Sequence, residues 1–316
     1  MRKIRLAILI GGISSERDIS LISGKEVVKA LDKKKYEIKI YDPKSDLIKL
    51  AKDRKEIDVV FPVLHGFGGE DGTIQGYLEL LKLPYVGSGV LSSALAMDKK
   101  MSKVIYKNNG LLTPKTIILS RPDIEKNLSG VLQNIRKTIG LPCVVKANNH
   151  GSSIGVYIVK NEKDLKKAIN DAFKLDNEVL VEEYIKGIEV TGAVLGNQNP
   201  KALPIVEIIP PEGKFFDREV KYSGATQEIV PARLSKSLTK KVQNIAIKAH
   251  QVLGCRGFSR TDMIIKKPKI YVLETNTIPG LTSESLFPKA AKVTGISLTN
   301  LLEKLIVLSL EKNNLL

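Results

Sequence analysis

Only two cysteines occur in 316 residues, Cys143 and Cys255, both in apolar surroundings and without CxxC spacing. That pattern points to buried, reduced thiols and a cytoplasmic location. No apolar run approaches the roughly 18–20 residues a membrane span requires, and Met1-Arg2-Lys3 leads straight toward a strand without a signal-peptide cleavage pattern. A membrane partner is therefore not expected. Aromatic residues are scarce, at 5%. The formal net charge of +16 raises nucleic-acid binding as an alternative. Its lysines, however, are spread along helices, as in Lys163-Asp164-Leu165-Lys166-Lys167, and no helix-turn-helix or RNA-binding signature accompanies them. A solvated basic surface that attracts anionic substrates is the expectation, with no nucleic-acid partner. Gly11-Gly12 lacks the third glycine of a dinucleotide fingerprint, and no Gly-Lys-Ser/Thr exists to make a P-loop. Repeats and low-complexity tails are also missing.

What remains is an ordinary globular composition, 43% hydrophobic and 27% charged, long enough for two or three domains. Ile4–Ile10 reads as a continuous apolar strand buried on both faces. After Gly11-Gly12, Ser15 and Asp18 form a capping-box-like pair at the start of a helix reaching about Leu31. Strands at Tyr36–Tyr41 and Asp58–Leu64 continue an α/β alternation. The third ends in His65-Gly66-Phe67-Gly68-Gly69-Glu70-Asp71-Gly72, at the sheet edge where ligands of such folds bind. Further on, strands are expected near Thr116–Leu119, Pro142–Ala147, Val179–Ile185, Thr191–Leu195 and Leu203–Ile209. Helices are expected at Thr73–Leu81, Val131–Ile139, Glu162–Phe173, Ser235–Leu253 and Leu298–Lys312. The loop Asn148–Gly155 has the small residues that fold N–H groups over phosphate, and equally suits an ordinary hairpin. Residues 210–227 form the longest irregular run, expected to be a lid.

The most informative stretch is residues 259–286. Met263–Ile265 and Ile270–Leu273 flank Lys-Lys-Pro-Lys, a hairpin signal. Folding about Pro268 sets Asp262 opposite Glu274 and Arg260 opposite Asn276, on shared faces. Two opposed carboxylates repel, so a positive group is expected between them. With the Asn276 amide they offer hard oxygen ligands suited to Mg²⁺; the alternative is that they diverge or pair with lysines. Thr277-Ile278-Pro279-Gly280 then turns into a helix start whose N–H groups suit an anion.

The string R-x-D…E-x-N-x-x-P-G-x-T-x-x-S closely resembles the D-alanine–D-alanine ligases of the ATP-grasp superfamily. Gly11-Gly12-Ile13-Ser14-Ser15-Glu16-Arg17, His65–Gly72, Met97-Asp98-Lys99 and Gly151-Ser152-Ser153-Ile154-Gly155 match further motifs of that family. The resemblance implies an ATP-grasp fold, α/β with an α+β ATP-binding part and an N-terminal parallel sheet. Its three domains would cover 1–95, 96–186 and 187–316, the last carrying the lid. It also implies ATP-dependent joining of two D-alanine molecules through a D-alanyl phosphate, for peptidoglycan precursors, with two Mg²⁺ ions or Mn²⁺, in a homodimer.

Residue roles follow from the same resemblance. Lys99, Lys146, Ser153, Phe215 and Lys221 would serve ATP, with Glu182 and the backbone of Tyr184 and Ile185 at adenine and Glu189 at ribose. Asp262, Glu274 and Asn276 would hold metal. Glu16 would meet the first D-alanine, joined with Ser152 and Tyr222 in one hydrogen-bonded set, and His65 would also serve substrate. Arg260 and the N–H groups near Gly280 would steady the oxyanion, while Ser283, Ser285 and the Leu286 N–H would hold the second carboxylate. Ala147 replaces the proline usual before the glycine-rich loop, and Glu183 stands where relatives carry lysine. Another ATP-grasp carboxylate–amine ligase, or a D-alanine–D-lactate ligase, is the alternative reading.

Overall fold

The computed structural model describes residues 2–151, 154–211 and 226–311. Ile4–Leu9 forms β1, which pairs in parallel with β2 (Tyr36–Tyr41) on one side and β3 (Val59–Pro62) on the other. The continuous apolar run of β1 is explained by its two covered faces. Leu6 and Ile8 enter one core, while Ala7 and Leu9 enter another with Leu50, Leu78 and Tyr85. Three helices, α1 (Arg17–Ala30), α2 (Leu47–Lys52) and α3 (Thr73–Leu80), complete this unit.

The expected capping box at Ser15 and Asp18 is not formed. α1 starts at Arg17 with Glu16 at its N-cap and no side-chain cap bond. Ser14, not Ser15, makes the local bond: its Oγ accepts from the Glu16 N–H at 3.1 Å and donates to the His65 carbonyl at 2.6 Å. The serine is used to tie two loops together, and this leaves Glu16 at the helix entrance.

α4 (Val90–Met97) leads into α5 (Lys99–Asn108), where Asp98 caps the helix by accepting from the Met101 N–H at 2.9 Å. That cap fixes Lys99 as the first residue of α5. A four-stranded antiparallel sheet follows, in the order β4 (Thr116–Ser120), β7 (Glu178–Glu183), β5 (Cys143–Ala147), β6 (Val156–Val159). Val145 and Val181 on one face pack with α6 (Arg121–Thr138) and α7 (Glu162–Phe173). α6 breaks at Asn127, where φ is −157° and ψ is 70°, so the helix expected around Val131–Ile139 is its second part; the first part, from Arg121, is opened by a Ser120–Asp123 capping box with Pro122 in the first turn.

The second large sheet contains β11 (Gln227–Ile229), β10 (Val206–Ile209), β8 (Ile188–Leu195), β12 (Phe258–Lys266) and β13 (Lys269–Asn276), with short β9 (Lys201–Ala202) beside β8. α8 (Lys236–Val252) covers its back, burying Val242, Ala246 and Ala249 against Val190, Met263 and Val272. β11 takes up the last residue of the expected 210–227 lid, most of which lies outside the described residues. The chain closes with α9 (Leu286–Val293) and α10 (Leu298–Leu310). These helices return to the first sheet: Leu301, Leu305 and Ile306 share a core with Leu6, Ile8 and Phe61. The Lys35–Glu303 pair, at 2.9 Å, marks the same contact at the surface.

Candidate active site

The two antiparallel sheets turn their open faces toward one cavity of about 580 Å³. On the six-stranded side, Asp262 lies opposite Glu274 and Thr191, and Ile264 opposite Glu189, so these side chains share a face. On the four-stranded side, Val144 opposes Glu182 and Lys146 opposes Leu180, which sets Lys146 and Glu182 on a common face. Tyr184 and Ile185 line the link between β7 and β8. Lys99 enters from α5 and Glu16 from the entrance of α1.

The expected register is observed, by a route different from simple folding about Pro268. From the turn outward the ladder runs Lys266 to Lys269 and Met263 to Val272, which in regular form would set Asp262 against Leu273. A bulge between Asp262 and Met263 inserts Leu273 as an extra residue and brings Glu274 opposite Asp262. Leu273 and Glu274 both line the cavity as a result.

Each of these carboxylates has its own basic partner, the alternative that the sequence left open: Arg260 for Asp262 and Lys99 for Glu274. Arg260 grips Asp262 with a bidentate fork, Nε to Oδ1 and Nη2 to Oδ2, each at 2.9 Å. Thr191 Oγ1 adds a bond to Asp262 Oδ1 at 2.6 Å. Burial disfavours the guanidinium, but Asp262 more than offsets this and raises its pKa above the ordinary value. Lys99 Nζ lies 3.4 Å from Glu274 and donates to the His150 carbonyl at 2.5 Å. Among the described residues no three His, Cys, Asp or Glu side chains gather in a metal-holding cluster. The expected donors are instead two carboxylates and one amide. Asp262 Oδ1 is filled by Arg260 and Thr191, while Oδ2 accepts only one bond and the Asn276 Oδ1 accepts one from the Ile278 N–H, so each of the latter two keeps a lone pair; with the Glu274 carboxylate they are the hard oxygens a cation such as Mg²⁺ takes.

At the other end, Glu182 is 1% exposed and flanked by Lys103 and Lys146, each 2.9 Å away. Burial works against its charge, and the two ammonium groups outweigh burial, holding the carboxyl below the usual range. Burial likewise opposes the Lys146 ammonium, while Glu182 and Glu274 raise its pKa above the ordinary value.

Glu16 is buried where two loops approach closely. A Cβ on Gly66 or Gly151 would stand 3.0 or 2.9 Å from its Oε1, and Gly66 also has a φ of +70°, where side chains are disfavoured. Glu70 lies beside it in the cavity wall, accepting from the Gly66 N–H at 2.7 Å. Its carboxyl is pushed up to about 8, first by burial and then by Glu16.

His65 is buried and does not line the cavity, and Gly280, Ser283, Ser285 and Leu286 also lie outside the lining. Ser285 is the N-cap of α9 but its side chain does not cap that helix. Its Oγ meets the Thr282 N–H at 3.2 Å and Thr282 Oγ1 at 2.8 Å, while the Ser283 N–H donates to Glu26 at 2.8 Å. Gly280 permits this turn, since a Cβ there would come within 2.7 Å of Ser285 Oγ. Ser152, Ser153, Phe215, Lys221 and Tyr222 lie outside the described residues. Sequence reasoning missed Glu70, Lys103 and Thr191. For Lys103 a signal existed, because position i+4 from Lys99 shares its helix face.

Two facing sheets with acidic residues on one, a lysine–glutamate pair on the other and a shared cavity define an ATP-grasp ligase. Comparison with known proteins narrows this. The family models described as D-ala D-ala ligase N-terminus and C-terminus match residues 41–88 and 105–307. The chain is 50% identical over 314 residues to the D-alanine–D-alanine ligase of Syntrophobacter fumaroxidans, covering 98% of each. It is 44% identical to that of Carboxydothermus hydrogenoformans, covering 98% of this chain and 99% of that one. Among solved structures, the Bacillus anthracis D-alanine–D-alanine ligase complexed with ATP superposes with a TM-score of 0.82 at 36% identity, covering 97% of both chains. The VanG D-Ala:D-Ser ligase of Enterococcus faecalis gives 0.84 at 33% identity, covering 98% of this chain and all of that one (100%). The chain belongs to the D-alanine–D-alanine ligase family.

Proposed function

We propose that the residues of this one cavity divide among themselves the work of an ATP-dependent, ADP-forming ligation of two D-alanines. The reading is carried by one observation: phosphate-suited lysines and opposed carboxylates converge from two sheets on a single cavity. The adenine sits by Glu182 and the Tyr184–Ile185 backbone, and Glu189 accepts the ribose hydroxyls. Lys99 and Lys146 meet the phosphates, offsetting repulsion between two anionic reactants. Asp262, Glu274 and Asn276 would hold Mg²⁺ or Mn²⁺, which supplies charge neutralisation at the transferring phosphoryl group.

Glu16 holds the ammonium of the first D-alanine, whose carboxylate attacks the γ-phosphorus and releases ADP. The amine of the second D-alanine then attacks the acyl carbon, expelling phosphate. Arg260, fixed by its fork on Asp262, points its remaining donors to the developing oxyanion. The Gly280 region and α9 entrance, with Ser283, Ser285 and Leu286, lie beyond the lining. Their role at the second carboxylate, and that of His65, requires substrate to extend toward them. Ser152, Ser153, Phe215, Lys221 and Tyr222 keep the lid and phosphate-loop roles their motifs imply. Three domains near 1–95, 96–186 and 187–316, a homodimer and a cytoplasmic location complete the proposal.

The VanG likeness favours one specific competitor, a different second substrate. Phosphate release from ATP, measured with D- and L-amino acids singly and in pairs, tests both. Release with D-alanine alone and D-alanyl-D-alanine as main product is expected; release only with some other pair would overturn the reading.

A further inference from the structure

α5 presents Lys99, Lys103 and Tyr106 at i, i+4 and i+7, along one face. Lys99 reaches Glu274, and the Tyr106 hydroxyl donates to Thr275 Oγ1 at 2.7 Å. Lys103, only 3% exposed, reaches both sheets at once. Its Nζ is 2.9 Å from Glu182 on β7 and 3.4 Å from the carbonyl of Leu273, the extra residue of the β13 bulge. The ligation described above makes no use of it.

Charge counting gives Lys103 a task. Glu182 lies between two lysines; burial lowers the Lys103 pKa below its ordinary value while Glu182 opposes that, and with both ammonium groups protonated the trio carries one net positive charge. Lys146 already touches Glu182 at 2.9 Å, and without Lys103 the two would form a closed pair with no net charge left over for an anion. A buried charge stays where its compensation is. We propose that Lys103 is a positioning residue. It neutralises Glu182 from the helix side, so that Lys146 keeps its charge for the nucleotide phosphates, while the same ammonium holds the bulge that aims Glu274. This rests on the reading that Lys146 meets phosphate.

The test compares Lys103→Met, Glu182→Gln, their double variant, Lys103→Arg and Lys146→Ala in the full chain. Calorimetric ATP binding in Mg²⁺ is measured alongside kcat and KM for ATP and D-alanine. Lys103→Met is expected to weaken ATP binding by about tenfold or more, the scale of one lost charge at a partly screened site. KM for D-alanine should stay within about twofold, because the charge lies on the nucleotide side. Within the Glu182→Gln background, with no carboxylate left to capture Lys146, adding Lys103→Met should cost much less ATP affinity than it does in the unmodified chain. Lys103→Arg, which keeps the charge, should recover most of the affinity even if Lys103→Met folds poorly. Unchanged ATP affinity in Lys103→Met, or multiplied losses in the double variant, overturns the inference. So does Lys103→Arg failing as badly as Lys103→Met. If Lys146→Ala binds ATP normally, the phosphate reading itself falls and the inference with it. If Lys146→Ala is impaired and Lys103→Met is not, the inference alone is lost.

Discussion

Asp262 and Glu274 face each other because β13 carries one residue, Leu273, more than a regular ladder from the Lys267-Pro268 turn needs. A bulge lets two consecutive residues share a face. The acidic pair is thus a product of backbone irregularity as much as of residue choice.

Glu274→Gln keeps the shape of that pair and removes one charge. Turnover at saturating ATP should fall by roughly a hundredfold or more, since charge stabilisation of transferred phosphoryl groups amounts to several kcal/mol. Steady-state kinetics across a Mg²⁺ titration is the check. Near wild-type activity at ordinary Mg²⁺ would remove Glu274 from the reaction.

Arg260→Met should cost stability as well as turnover. The Arg260–Asp262 pair is largely buried, with side-chain exposures of 8% and 18%, and stranding one partner of such a pair costs about 3–5 kcal/mol. Urea unfolding of Arg260→Met and of Arg260→Met/Asp262→Asn separates the effects. The double variant should regain part of the loss, and equal destabilisation in both would count against an uncompensated Asp262.

The pH dependence of stability should carry a signature of Glu70. Burial and Glu16 push its folded pKa up to about 8, from an ordinary value of 4.5. The folded chain therefore binds more protons, and this carboxyl's contribution to stability is fully present below about pH 4.5 and declines up to about pH 8. Glu70→Gln cannot ionise and should flatten that decline. An unchanged slope in urea midpoints from pH 5 to 8 would exclude Glu70 as its source.

The second substrate should be an amine. The chain belongs to the D-alanine–D-alanine ligase family, whose named second substrate carries an amine. Competition between equal D-alanine and D-lactate from pH 6 to 9, with products separated by mass, should give dipeptide throughout the neutral range. Ester as the main product at pH 7 would contradict this.

Much of this arrangement is written in local pattern. β2 and α7 occur at their expected limits because alternation and the Asn161 cap are local signals. A turn centred on Pro268 predicts the opposition of Asp262 and Glu274, and the observed turn plus a bulge adds to the same register. The α1 start was misread because Ser14 spends its hydroxyl on a loop 51 residues away, which short-range cap rules do not contain. Lys103 carried a local signal, its i+4 spacing from Lys99 on one face of α5, but the burial that gives it and Glu70 their weight comes from β13 and the Glu16 loop, which are distant in sequence.

The return of α10 to the first sheet bears on how the chain is born. Leu6 and Ile8 are synthesised nearly 300 residues before their core partners Leu301, Leu305 and Ile306. Until α10 is made, this sheet therefore has one apolar face awaiting its cover, a period in which shielding by chaperones counts most.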